Sequence, residues 1–191
     1  FTNAFRSFWL SLTNGAFTAA PQGSKETARY YRQMTRMAAN FALVADMSMF
    51  SLGGSLKFKE KISARLGDIL SNLFIASAVL KRFENQGSPK EDLAIMRYAV
   101  EQALYDAQTA LDGLLRNLPM RPLAWVLRAL TMPLGHNIKA PADKLASRVA
   151  DQMIHTAIRS EDDHQRLSIP IRIGARHPRL AQVVARMEAN I

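Results

Sequence analysis

Cysteine is absent from all 191 residues. That excludes a disulfide framework, a cysteine-ligated zinc site, an iron–sulfur cluster and a thiol nucleophile. It agrees with a reducing compartment. There is no uninterrupted apolar run of about 18 residues, so no segment reads as a helix crossing a bilayer by itself. No basic stretch followed by an apolar core and a small-residue cleavage site stands at the front, so there is no secretory signal to read. Strand-like alternation, internal repeats and low-complexity tracts are also missing. Acidic residues are outnumbered, 16 Asp and Glu against 25 Lys and Arg, for a net charge of +9. Such a balance points to an anionic partner: nucleic acid, a membrane surface or a phosphate-bearing ligand.

What remains is apolar and helical. Hydrophobic residues make up 48% of the chain, which excludes disorder for most of it. A domain of this length buries roughly 70% of its unfolded surface and needs no metal or disulfide staple. The chain opens on Phe1, and Phe5 to Leu10 already has the texture of an amphipathic helix interior, so it reads as a piece of a longer protein.

A first short helix is expected over Asn3–Thr13, broken by Gly15, Pro21 and Gly23. Ser24 caps a second over about Lys25–Leu52, with Tyr30, Met34, Met37, Phe41, Val44 and Met47 at steps of three and four. Gly53-Gly54-Ser55 ends it with a left-handed C-cap. A third helix, about Leu56–Asn85, carries Ile62, Leu66, Ile69, Leu73, Ala76, Leu80 and Phe83, a stripe that wants a partner along its whole length. Gly87 closes it. Ser88-Pro89-Lys90-Glu91 then reads as a capping box opening a fourth helix to about Asn117, with Leu93, Met96, Val100, Ala103, Ala107, Leu111 and Leu114 inward. Three long helices with short turns make an all-α, up-and-down bundle. Short helices follow over about Leu123–Met132, Ala142–Ile158 and Pro178–Ala189.

Chemistry is harder to find. Glu161-Asp162-Asp163-His164 has the Glu-x-x-His spacing of a di-iron bundle once, without the second copy and further carboxylates that site needs, so no metal is expected. Gly53-Gly54-Ser55-Leu56-Lys57 could present backbone N–H groups to an anion but lacks the spacing of a phosphate-binding loop, and a plain helix–helix turn explains it. His136, His155, His164 and His177 stand in no nucleophile motif. Asp46 lies near an apolar stripe, and Arg65 and Asp68 are within mutual reach on one helix; the expected role is a structural network that sets register. Arg29, Arg32 and Arg36 line up on the second helix and could contact phosphates, or simply be solvated.

The segment Pro122–Leu134 is the best physical signal. Nine of its thirteen residues are apolar and Arg128 is its one charge. Trp125 is a residue favoured at membrane interfaces. With Arg121 before it, and His136 and Lys139 after, such a helix could lie among anionic headgroups. It could equally fold back as core. On the first reading Trp125, Leu127, Arg121 and Arg128 are the membrane-facing candidates.

Several runs resemble a known family: Arg6-Ser7-Phe8-Trp9-Leu10, Arg29-Tyr30-Tyr31-Arg32-Gln33, Ala39 to Asp46, Leu52 to Lys57, and most strongly Ile62-Ser63-Ala64-Arg65-Leu66-Gly67-Asp68-Ile69-Leu70-Ser71. Asp143-Lys144-Leu145 after Ala140-Pro141 also fits. Together, over roughly residues 6–157, they resemble the C-terminal region of the bacterial acyl-CoA dehydrogenases of fatty-acid β-oxidation. The resemblance implies a parent enzyme that uses FAD to form a trans double bond between the α and β carbons of an acyl-CoA. Its glutamate base and nearly all of its flavin site lie upstream, so no catalytic residue is carried over to this chain. It also implies an upstream catalytic core as partner, a homodimer, and a bacterial cytoplasmic enzyme peripheral to the inner membrane. The divisions that follow are 1–23 as helix and linker from the catalytic region, 24–158 as the bundle and 159–191 as a polar tail. The other reading is a basic helical interaction or nucleic-acid-binding module; on the family reading no nucleic acid is expected.

Overall fold

The computed structural model describes residues 8–10, 13 and 25–154. The chain falls into two units, Phe1–Leu145 and Ala146–Ile191. Of the first expected helix, residues 8–10 are helical and Thr13 sits in a turn. The expected helix at Pro178–Ala189, the Glu161–His164 run, His155 and His177 lie outside the described residues.

Helix α1 covers Lys25–Leu52, α2 Glu60–Asn85, α3 Leu93–Asn117 and α4 Arg121–Thr131. A further helix, α5, occupies 143–154, and no strand occurs among the described residues. Named contacts give the directions. Thr27 and Tyr31, early in α1, donate hydrogen bonds to the carboxylate of Glu84, late in α2. Arg65, early in α2, lies against Gly113, late in α3. Each neighbouring pair is therefore antiparallel. α4 folds back along α3, since Arg128 meets Asp112 and Met132 meets Gln108. The architecture is the up-and-down bundle that the sequence pattern predicts.

The turns differ from expectation in two places. The third helix begins at Glu60 instead of Leu56, because Gly53–Phe58 winds as a 3-10 helix. Gly53, at φ +49°, breaks α1, and the Oγ atoms of Ser55 and Ser63 bond the carbonyls of Leu52 and Leu56, holding the tighter winding. The capping box at Ser88 does not form. Gly87 (φ +81°) donates to Glu84 O and Ser88 donates to Phe83 O, a Schellman closure of α2. Ser88 thus sits at φ 57° and belongs to the end of α2. Residues 89–92 complete the turn, and α3 starts at Leu93 behind Asp92, which makes no side-chain cap.

The core follows the stripes. Ile62, Ile69, Leu73, Ala76, Leu80 and Phe83 of α2 are buried, with Leu66 half-buried beside them. Met96, Val100, Ala103, Ala107, Leu111 and Leu114 of α3 face them. From α1 come Tyr30, Met37 and Val44. α3 is buried on a second side as well, through Leu104, Gln108, Asp112 and Leu115, because α1, α2 and α4 all pack on it.

α2 is the opposite case. An 18-residue window of it reaches a mean hydropathy of 1.3, long and apolar enough by length and composition to cross a bilayer, yet only 22% of that window is buried. Arg65, Asp68 and Asn72, with interspersed Gly and Ser, interrupt the run in the sequence, while the large apolar residues around them keep the average high. The two faces predict different sensitivities. Leu111→Ala should lose about 3 kcal/mol in urea unfolding, because a buried cavity is left. Leu70→Ala, at a side chain 55% exposed, should lose about 0.5 kcal/mol or less.

Candidate functional site

Leu118 leaves α3 in an extended conformation, and Pro122 near the start of α4 fixes the chain for a helix that must turn back. The sequence of α4 then divides its two sides. Ala124, Leu127 and Thr131 are buried against the bundle. Trp125 is 68% exposed and Val126 56%, with exposed Arg121, Pro122 and Ala129 around them. One side of this segment is core, as the fold-back reading expects, and the other is open. Leu127 is corrected by this result. At 1% exposure it is the main inward knob of α4 and does not face outward. Trp125 and Arg121 lie on the open side, and Arg128 sits at its edge, its side chain 40% exposed.

What holds α4 in that rotation is the carboxylate of Asp112. Its side chain is 9% exposed and faces three basic groups. Arg128 Nη1 donates to Oδ1. Arg116 Nε lies 2.7 Å from Oδ2 and His136 Nε2 lies 3.4 Å from the same atom. Burial pushes the Asp112 carboxyl up, but the hydrogen bond and charge of Arg128, then Arg116 and His136, pull harder, so it settles below the usual carboxylate range.

The turn after α4 is pinned by three further polar side chains. Asn40 Nδ2 donates to Thr131 O at 3.0 Å, and Ile138 N donates to Gln108 Oε1 at 2.9 Å. Arg36 Nη2 donates to Asn137 Oδ1 at 2.7 Å. Arg36 is 3% exposed, its Nε has no hydrogen-bond partner, and burial lowers its pKa to about 10. The space that Arg36, Asn40, Gln108 and Thr131 enclose beneath the turn does not admit a water molecule.

This geometry settles several expectations. Arg29, Arg32 and Arg36 do not make one free basic face: Arg29 is exposed beside the Tyr30 ring, Arg32 is half-buried and Arg36 is core. Asp46 and Asp68 are exposed, so neither is a buried register charge. Arg65 packs against the backbone of α3 at Gly113. The network that sets register is instead centred on Asp112, with Gln108 and Asn40. A helical count would have found the 104, 108, 112, 115 side of α3, but its two polar members look like solvent-facing residues when read alone. Gly53 and Gly54 are open, and Lys57 covers the Phe58 ring at 4.9 Å. Glu60 then opens α2 and places a carboxylate in its first turn. No group of three or more His, Asp or Glu that could hold a metal occurs among the described residues.

Comparison with known proteins places the chain. Residues 1–177 match the family described as "Acyl-CoA dehydrogenase, C-terminal, bacterial type", and the chain belongs to that family. A stretch of 48 residues, 25% of this chain, is 38% identical to the "HTH-type transcriptional regulator GbdR" of Pseudomonas aeruginosa, in each of two strains. That stretch spans 13% of the regulator's length. No solved structure matches significantly.

Two solution measurements test the polar framework. Asp112→Asn should lose about 2 kcal/mol, the worth of a buried charge-assisted hydrogen bond. Because the folded carboxyl is held low, its contribution is full above about pH 4 and drains as pH falls through the lower folded value. The acid limb of stability should therefore flatten in Asp112→Asn. At the other extreme, burial and the Glu84 hydrogen bond raise Tyr31 to about 12. Its contribution is present below pH 10 and is lost as pH rises toward 12, a loss that Tyr31→Phe should remove.

Proposed function

We propose that this member of the bacterial-type acyl-CoA dehydrogenase C-terminal family is the accessory helical part of an FAD-dependent enzyme that makes trans-2-enoyl-CoA, the first step of fatty-acid β-oxidation. The family match over residues 1–177 carries the reading. The bundle docks on an upstream catalytic core, contributes to a homodimer and rests on the inner face of a bacterial membrane. FAD, when bound, accepts the hydride; the residues described here do not fit it. The enclosed space at Arg36 is too small, and the hollows lined by Phe58 to Arg65 and by Val79 to Met96 are open to solvent. The family match supports placing flavin and base in polypeptide upstream. The parent chain, joined in its own reading frame, should bind FAD and show bleaching of the flavin by an acyl-CoA. FAD binding or acyl-CoA turnover by these 191 residues alone would overturn the assignment.

Support for the membrane role comes from the open side of α4. Trp125 and Val126 present apolar surface with Arg121 beside them, and Met120 and Leu134 are 50% and 64% exposed. Arg128 and Lys139 add positive charge at the edge and beyond. Such a surface enters the headgroup region with its aromatic ring and meets anionic lipid with its guanidinium groups. Binding to vesicles containing phosphatidylglycerol should weaken in high salt and fall at least about tenfold on Trp125→Glu. Unchanged binding in that variant removes α4 from the membrane role.

The short match to a transcriptional regulator raises nucleic-acid binding as the second reading. The buried Arg36 speaks against it, since the basic stripe it would need is interrupted. No gel shift with nonspecific DNA is expected at moderate salt; a salt-sensitive complex would favour the second reading.

A further inference from the structure

We infer that Arg36 is the receiving half of a carboxylate site, that Asn137 holds its place, and that the ligand is an acidic side chain of the polypeptide on which this bundle docks. The inference rests on the reading of the domain as docked on an upstream catalytic core, and goes further by naming the contact and its chemistry.

Arg36 is 3% exposed and forms no ion pair among the described residues. Beneath the 132–138 turn it is enclosed with Asn40, Gln108, Thr131 and Met132, none of them acidic. Burial alone lowers its pKa, with no opposing pull from a nearby carboxylate. A buried cation left in this state is costly, and charges in protein interiors are ordinarily paired. Asp112 is the contrast: it is also enclosed, and three basic groups face it.

The missing partner has a shape. Nε and Nη2 lie on one edge of a guanidinium and donate in parallel, a fork that takes both oxygens of a carboxylate. In Arg36, Nη2 donates to Asn137 Oδ1 at 2.7 Å while Nε has no partner. The amide thus fills one prong. Its other terminal atom is an NH2 donor, which cannot accept from Nε. A carboxylate has the size and plane of that carboxamide and offers an acceptor to each prong. The space around the fork does not admit a water molecule, so the ligand takes the place of the Asn137 side chain and does not lie beside it. A tetrahedral phosphate is bulkier than the group it would replace. Asn137 is half-buried and turns outward while Ile138 N stays bonded to Gln108 and Asn40 to Thr131, so the bundle need not open.

Two features favour a carboxylate carried by a polypeptide. The turn above the fork presents Leu134, 64% exposed. A docking chain that covers Leu134 offsets the desolvation of its acid by apolar burial, whereas a free carboxylate ion brings no such contact. The surrounding charge also selects. From Gly113 to Ala142 there is no Asp or Glu, against Arg116, Arg121, Arg128 and Lys139. An acidic partner surface is drawn to this segment and a basic one is repelled.

Placing the acid in the chain itself tests the fork. Asn137→Asp should raise Tm by about 3 °C, and should not do so in an Arg36→Gln background. Docking is read by hydrogen exchange in the full parent enzyme. Residues 132–138 should exchange at least about tenfold more slowly there than in the 191-residue chain. Asn137→Asp fills the fork from within, so it should abolish that difference although it stabilises the bundle. Arg36→Gln should abolish it too, with circular dichroism guarding against misfolding. If Asn137→Asp stabilises and leaves the protection unchanged, Arg36 receives no external acid and the inference fails. It fails equally if the gain in Tm does not depend on Arg36. If 132–138 exchanges alike in the parent and in the isolated chain while other bundle surfaces are protected, docking stands and this contact falls. Protection nowhere on the bundle overturns the docking as well. If Glu161→Gln, Asp162→Asn and Asp163→Asn together speed exchange at 132–138 in the isolated chain, the acid comes from the same chain and the inference fails.

Discussion

The carboxylate of Asp112 carries more of this structure than any other polar group. It sits on the side of α3 where α4 returns, almost out of solvent, and three basic side chains from three different positions converge on it. A buried carboxylate without such partners would cost several kcal/mol, so the folded state is bound to the arrangement that supplies them. Arg128 can reach it only if α4 is rotated with Leu127 inward. That rotation places Trp125 outward. The open apolar surface of α4 is thus a consequence of where one negative charge was buried.

Much of the bundle was legible as period and punctuation. The stripes of α2 and α3 named nearly the whole interface between them, since each position was apolar and repeated at three and four. Gly53 and Gly87 ended their helices for the reason that glycine usually does. Ser88 misled because its residue type and spacing matched a helix start, while the preceding closure had already taken its N–H group. Competing local patterns of this kind are decided by which hydrogen bond forms, and spacing alone does not decide it.

The polar framework was much less legible. Asp112, Gln108 and Asn40 do not stand out in a string of residues, and apart from Arg116, one turn from Asp112, the partners named above lie 16 to 91 positions away. Arg36 shows the same limit from the other side. It completes a neat basic row in the sequence, but in the fold it turns under the 132–138 segment and leaves the row. Burial of a charge depends on what arrives from elsewhere in the chain. Trp125 was identifiable by type and by its basic neighbours, whereas Leu127, two residues on, belonged to the other side of the same short helix.

The double burial of α3 has a consequence for how the domain breathes. A helix enclosed by three others cannot open its amides unless those neighbours move, so its central turns are released only near global unfolding. α4 is attached along one side and can detach as a separate cooperative unit. The bundle therefore has a hierarchy of lifetimes: a slow-exchanging axle at α3, and a peripheral flap whose excursions expose the inner side of α4 without dismantling the rest.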